Sequence, residues 1–444
     1  MRKKLFCVVF AIILLLTACT DEPDPVRKGK TRKAPEGGRH HSEEVTPTPE
    51  PGEKVLRMWC IAGEYDSMHP AYVQAIEAMK NLYPDIRFEW ETFNYEDYKI
   101  KLKAAMAAPE SIVMPDIFYT YGGHYLEDFV RADRVFCLED TYELFAKSLR
   151  KNTCRNLIFD GELYGVPINY NAVTMFSNMD ILAKAGYTEV PSTFEELTDC
   201  CDKLLALGVT PFAIGASPYQ GWCVAEYLES IILQSIGVEA MNDLFMGRKS
   251  WDDPEIAKAV DRLYEMMQKG YFSPDCVETD NDEAKWGFIS GEYAFYVNGT
   301  WNCADICVSD MKGTVKLSAF PVINPDKGSS KSFVGGPTDG LAVYKGSPNA
   351  DIAALYVFEL SRAISQYAYV YGCGFPAFSV YCDDEDINVL TRQAAKFLAD
   401  AEFVPYGDSI MYTDQIDVYY YNLPDIMYGR LDGAGLAGYM KRYK

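Results

Sequence analysis

"WGFISGEYAFYVNGTWNCADI", residues 286–306, poses a choice between a hairpin and a strand-to-helix junction. An apolar run, Ala294-Phe295-Tyr296-Val297, stops at Asn298-Gly299, a pair that elsewhere makes a two-residue hairpin turn. After it the apolar side chains of Trp301, Ile306, Cys307 and Met311 recur at helical spacing and do not alternate. The segment therefore reads as a strand entering a helix, with Gly299 letting the backbone turn sharply. Trp301 is delivered to the end of the strand, where the chain is most exposed, and a tryptophan there needs a reason.

The same alternation runs outward in both directions. "KVLRMWCIA" from Lys54 reads as a strand, and "HPAYVQAIEAMKNLY" from His69 as a helix closed by Pro84. "IRFEWETF" alternates as a strand, Asn94 caps "YEDYKIKLKAAMAA", and "MPDIFYTY" is a short buried strand. Further on, Ser192 and Glu195 have capping-box spacing ahead of a helix, "FAIGAS" is a buried strand, and "DDPEIAKAVDRLYEMMQKG" is a helix with Asp cap and terminal Gly270. Strands alternating with helices imply βαβ units in two α/β lobes. Ligands of such sheets collect beyond the carboxyl ends of the strands. That singles out Trp59 to Glu64, Tyr119 to His124, Ser217 to Trp222 and Asn298 to Trp301.

Composition narrows the partner. A chain of 444 residues exceeds one ordinary core, which fits two lobes. A net charge of −22 argues against nucleic acid and anionic membrane surfaces and makes an anionic ligand unfavourable. The 32 Tyr, 23 Phe and 6 Trp suit a protein that stacks flat rings on a partner, although most of them must fill the core.

Met1 to Lys4 carry the positive charges of a leader, and Leu5 to Leu16 form an apolar run too short to span a bilayer, as in a signal peptide. Leu16-Thr17-Ala18-Cys19 resembles a lipobox, which makes Cys19 the expected first mature residue and site of lipidation. Residues 20–53, rich in Pro, Glu, Thr and basic residues, read as a disordered stalk in which His40 and His41 bind nothing. With Cys7 and Cys19 set aside, 11 of the 13 cysteines remain, an odd number in apolar contexts without CxxC or zinc spacing. Buried free thiols are the expectation, with no metal and no cofactor.

Catalytic motifs are missing from the sequence: there is no G-x-S-x-G, HExxH, Walker loop or GxGxxG. His69 and His124 are the body's two histidines, in contexts that do not suggest a triad. Paired carboxylates of a glycoside hydrolase or lyase stay open as the enzymatic alternative. Glu64, Asp116 and Asp339 are its candidates, with Asp116 equally suited to a turn.

Several segments together resemble the extracellular solute-binding proteins of family 1, sugar-capturing lipoproteins that feed ABC importers. "FDGELYGVPINYNAVTMFSNMDILAKAGYTEVPSTFEEL" (159–197) resembles the family's crossover strand and the helix after it. Phe288, Gly291, Ala294, Gly299 and Trp301 match its F-x-x-G-x-x-A-M-x-x-x-G-x-W signature, with Phe295 where Met is usual. "FPVINPDKGSSKSFVGGPTDGLAVYKGSPN" resembles the return through the hinge. The resemblance implies a two-lobed, type II periplasmic-binding-protein-like α/β fold with parallel-rich sheets. It divides the chain into signal peptide 1–18, lipidated Cys and linker 19–53, lobe one 54–165 plus 333–372, and lobe two 166–332 plus 373–444. It implies a non-enzymatic, membrane-tethered monomer that captures a carbohydrate, a neutral oligosaccharide, and delivers it to an ABC permease; a sensory sugar-binding protein is the other outlet.

A sugar's hydroxyl edge and C–H faces call for planar polar groups and aromatic planes. The expected ligand contacts are accordingly Trp301, Trp222, Trp59, Glu64, Tyr119, Tyr121, Tyr170, Asn171, Gly336 and Asp339. Trp90, Trp251 and Trp286 read as structural. The C-terminal "YYYNLPDIMYGRLDGAGLAGYMKRYK" departs from the plain amphipathic helix of the family.

Overall fold

The structure, a computed structural model, describes residues 54–108, 114–337 and 339–442. The leader, Cys19, the stalk and its two histidines lie outside the described residues.

Fourteen strands occur among the described residues: β1 Lys54–Cys60, β2 Ile86–Thr92, β3 Ile117–Tyr121, β4 Ile158–Phe159, β5 Glu162–Leu163, β6 Val166–Pro167, β7 Asn169–Asn178, β8 Phe212–Ala213, β9 Phe295–Gly299, β10 Val315–Ser318, β11 Ser332–Gly336, β12 Asp339–Val343, β13 Phe375–Pro376 and β14 Glu402–Val404. They form two main sheets. One has the order β2-β1-β3-β12-β6, the other β14-β11-β7-β9-β8 with β10 and β13 also on β7, and β4-β5 is a separate hairpin. Pairs β1/β2, β1/β3, β8/β9 and β11/β14 are parallel, whereas β12 and β7 run antiparallel to their neighbours. The antiparallel members are strands next to the places where the chain changes sheet. The chain leaves the first sheet after β6 and enters the second at β7, then returns between β11 and β12. Strand β11 thus belongs to the second sheet.

Each sheet carries its own core. Leu56, Met58, Phe118, Leu341 and the helix Ala350–Tyr371 pack around the first. Around the second, the helix Gly221–Ile236 is buried on nearly every side, as its apolar circumference requires. The helix at 194–206 is capped one residue later than the spacing suggests. Thr193 accepts from Glu196 N while Glu196 reaches back, and Ser192 instead donates its own hydroxyl to the Glu196 carboxylate. All eleven body cysteines are free and eight are buried, as expected of thiols in apolar surroundings. Trp251 is buried against Phe245 and Tyr419, and Trp90 stacks between His69 and Tyr72. Trp286 differs from expectation: it is half exposed.

Candidate ligand-binding cleft

Between the two sheets lies a cavity of about 790 Å³. The first sheet supplies its loop Ile61–Met68, which follows β1, the segment Thr92–Tyr95, and Tyr72, Tyr119, Tyr121 and Asp339. The second sheet's side supplies Asn169, Asn171, Trp222, Trp301 and two regions that strand-end reasoning missed. These are the acidic turn Asp280–Asp282 with Lys285, and the C-terminal residues Tyr406, Asp408 and Tyr420.

Trp301 sits where the opening segment predicts. Strand β9 ends at Gly299, a 3₁₀ turn covers Thr300–Asn302, and a helix starts at Cys303. The role of Gly299 is different from that expected. Its φ is −70°, open to any residue, so no special turn conformation is needed. What requires glycine is space, because a Cβ there would meet the Trp301 ring at 2.1 Å. The indole lies folded over its own strand end. Asn298 braces the junction, donating to Asn281 Oδ1 at 3.0 Å and accepting from Asn302 Nδ2 at 2.7 Å and Gly299 N at 2.8 Å.

Around Trp301 the rings form a wall. Trp222 lies 6.5 Å away at 53°, Tyr406 6.5 Å away at 37°, and Tyr95 sits 6.2 Å beyond Trp222. Tyr119 and Tyr121 meet edge to face at 5.1 Å. Tyr65 and Tyr219, 86% and 76% exposed, stand at the mouth on opposite sides, and Tyr219 is held at φ 74°.

Of the expected contacts, Trp301, Trp222, Glu64, Tyr119, Tyr121, Asn171 and Asp339 line the cavity. Asp339 hydrogen-bonds the Tyr119 hydroxyl. Asn171 lines the cavity with Oδ1 already accepting from Thr300 at 2.8 Å, so it also holds the strand end. Three expected contacts are not brought in. Trp59 packs on Phe93 with Lys101 over its ring, because its neighbours Met58 and Cys60 face the core and alternation sends it to the other side. Tyr170 stacks on Phe375 for the same reason, its neighbours Asn169 and Asn171 facing the cavity. Gly336 is taken up in pairing with Asn171. Asp116 is not a ligand contact either: it accepts from Arg57 N at 2.8 Å and holds Ser347.

The charge in the cleft is lopsided. Glu64, Asp66, Glu226, Glu229, Asp280, Asp282, Asp339 and Asp408 line it, against one cation, Lys285. Lys285 is itself buried and bound to Asp282 at 3.1 Å and Asp305 at 2.8 Å. Burial raises the Asp66 carboxyl to about 6, opposed by the Met68 N–H and the charge of Lys285. Several buried polar atoms in the lining have no hydrogen-bond partner among the described residues: Tyr72 Oη, Tyr121 Oη, Asn169 Oδ1, Glu226 Oε2, Glu229 Oε1 and Tyr406 Oη. Buried polar groups are normally satisfied, so their convergence on one cavity marks a place where a ligand completes them. No group of His, Cys, Asp and Glu among the described residues is arranged to hold a metal.

Two lobes with a polar, aromatic-walled cleft between them define a solute receptor of the two-lobed kind. The chain belongs to the bacterial extracellular solute-binding protein family, whose model matches residues 65–360. An uncharacterized ABC transporter extracellular-binding protein of Pyrococcus horikoshii is 21% identical over 312 residues, 70% of this chain and 72% of that one. A solved structure described in terms of xylan utilization by the thermophilic bacterium Caldanaerobius polysaccharolyticus is 26% identical, with a TM-score of 0.81 over 87% of this chain and 99% of the other. A chitin oligosaccharide binding protein shares the fold at a TM-score of 0.80 and 22% identity, over 88% of this chain and 98% of its own.

Proposed function

We propose that the protein captures a carbohydrate oligomer in the cleft between its lobes and hands it to an ABC importer, tethered outside the cell through lipidated Cys19. The observation that carries this reading is the combination of a tryptophan wall with six unpartnered buried polar atoms around one 790 Å³ cavity. That volume holds several sugar units, and planes plus unmet donors and acceptors are what alternating C–H faces and hydroxyls need. Similarity to a chitin oligosaccharide binding protein and to a structure described for xylan utilization supports the same ligand class.

Binding without turnover accords with a family of solute-binding proteins. Acids from both lobes line the cleft, Glu64 and Asp339 among them, and a glycosidase needs two carboxyls flanking the scissile bond, so recovery of the glycan uncleaved is part of the test. The crossings between β6 and β7, β11 and β12, and around 372–374 act as the hinge, and closure is driven by contacts that exist only when a ligand touches both lobes. The protein acts as a monomer in this scheme.

Calorimetric titration against a glycan panel tests it. Binding of one oligosaccharide per chain, with the glycan recovered uncleaved, is expected. Heat from peptides or lipids with none from any glycan would overturn the reading, and released product would move the protein to the hydrolase class.

A further inference from the structure

Two of the six unpartnered atoms at the cleft belong to neighbouring acids, whose charge a neutral sugar leaves uncompensated. Glu226 and Glu229 sit one turn apart on the helix Gly221–Ile236 and are 4% and 2% exposed. Glu226 Oε2 and Glu229 Oε1 have no hydrogen-bond partner, and no Lys or Arg among the described residues pairs with either carboxylate. Glu229 Oε2 accepts one bond, from Gly407 N at 3.3 Å. Asp408, next in the chain, lines the same cavity.

Asp408 is hydrogen-bonded by Tyr420 and Ser409, so the unmatched acids of the cluster are Glu226 and Glu229. On the 406–420 segment the groups facing the cluster are Tyr406, Asp408, Tyr419 and Tyr420, and the nearest cationic influence is Lys99, which acts on Asp408. Burial first, then the negative charge of Glu229 and Asp408 on Glu226 and of Asp408 on Glu229, push both carboxyls well above the ordinary range. Two dry carboxyls placed side by side are costly unless something supplies charge and donors. The cleft's one cation, Lys285, is committed to Asp282 and Asp305.

We propose that Glu226 and Glu229, with Asp408 beside them, form a cation subsite that selects a glycan bearing a protonated amine, a free 2-amino sugar, over its hydroxyl or N-acetyl counterpart. This rests on the carbohydrate reading and adds a charge requirement to it. An ammonium supplies positive charge and three N–H donors to a cleft end where two carboxylate oxygens and Tyr406 Oη lack partners. Tyr406 and Tyr420 in the lining add ring faces that attract a cation. An acetylated nitrogen brings one donor, no charge and extra bulk into the same space.

Proton movement follows from the arrangement. Burial and the neighbouring acids disfavour ionisation of the pair in the empty cleft. An incoming ammonium favours the carboxylates, so binding releases the protons the pair holds.

Calorimetry of the full chain at pH 7 and low salt, with the β-1,4 glucosamine tetramer, cellotetraose and the N-acetylglucosamine tetramer, tests the subsite. The amine tetramer is expected to bind at least ten-fold more tightly than cellotetraose, with a heat that varies with the buffer's own ionisation heat. Glu226→Gln combined with Glu229→Gln should cut that preference to below three-fold. Equal or tighter binding of cellotetraose or the acetylated tetramer by the unaltered chain overturns the subsite and leaves the carbohydrate reading standing. Binding of spermidine with no binding of any glycan keeps the cation site and overturns the carbohydrate reading, and no binding in any arm overturns both.

Discussion

Adding a single methyl group at Gly299 should disable the sugar platform while leaving the fold nearly untouched. In Gly299→Ala the backbone is unstrained, since φ is −70°. The new Cβ, however, would lie 2.1 Å from Cζ3 and 2.2 Å from Cη2 of Trp301, against a normal contact of about 3.5–4.0 Å. The indole must therefore shift by roughly 1.5 Å. A pyranose covers about half of a tryptophan that can bury about 200 Å², so the stack is worth about 2.5 kcal/mol at about 25 cal/mol per Å². Trp301→Ala then weakens binding by roughly 60-fold, and Gly299→Ala, which tilts the ring without deleting it, by about ten-fold. Because both act through one indole, Gly299→Ala placed on Trp301→Ala should cost less than two-fold more. Calorimetry on the four proteins, with thermal melts to check folding, reads the cycle. Independent, multiplying losses of roughly 600-fold would refute the placement of Gly299 beneath the platform.

Three further outcomes follow from the same geometry. Asp66 has its carboxyl raised to about 6 in the folded protein, above the ordinary carboxylate value of about 3.9, so its contribution to stability is full below about pH 4 and is lost as pH rises through 6. Asp66→Asn keeps the acceptor for Met68 N, and melts between pH 4 and 7 should show the variant matching the parent at the acid end and exceeding it above pH 6. Lys285→Met removes the partner of Asp282 and Asp305 and should lower stability by about 2 kcal/mol in urea unfolding, moderated by the exposure of both carboxylates. Gly221→Ala would drive a Cβ to 1.9 Å from the Tyr420 carbonyl, backbone against backbone, so it should cost about 1–3 kcal/mol and weaken glycan binding through the neighbouring Trp222.

Strand-end logic reaches Trp301, Trp222, Glu64, Tyr119 and Tyr121 because βαβ order fixes where a sheet's ligands collect, whereas Asn171 rests on the family resemblance and Asp339 on its carboxylate. The misses have physical causes. Trp59 stands at a strand end and Tyr170 in the family's Tyr-Asn pair, but the two-residue period of a strand turns each away from the face its neighbours present. Asp280–Asp282 follows no strand, but its acidic run opening a helix was a readable sign, with Asp280 capping that helix. Tyr406, Asp408 and Tyr420 come from a C-terminal segment whose docking depends on close approach, as where Gly433 meets the Ala257 carbonyl, and such contacts leave no periodic trace. Glu226 and Glu229 looked like ordinary helix residues. Only the burial of every side of that helix shows them to be unpartnered acids facing a cavity.

A diffraction structure of the protein crystallised with a bound oligosaccharide tests the central claim most directly. The account predicts a pyranose ring lying flat within about 4 Å of the Trp301 indole, its hydroxyls reaching groups on both lobes. A glycan held on an outer face with the cleft empty, or one in the cleft that leaves Trp301 untouched, would contradict it.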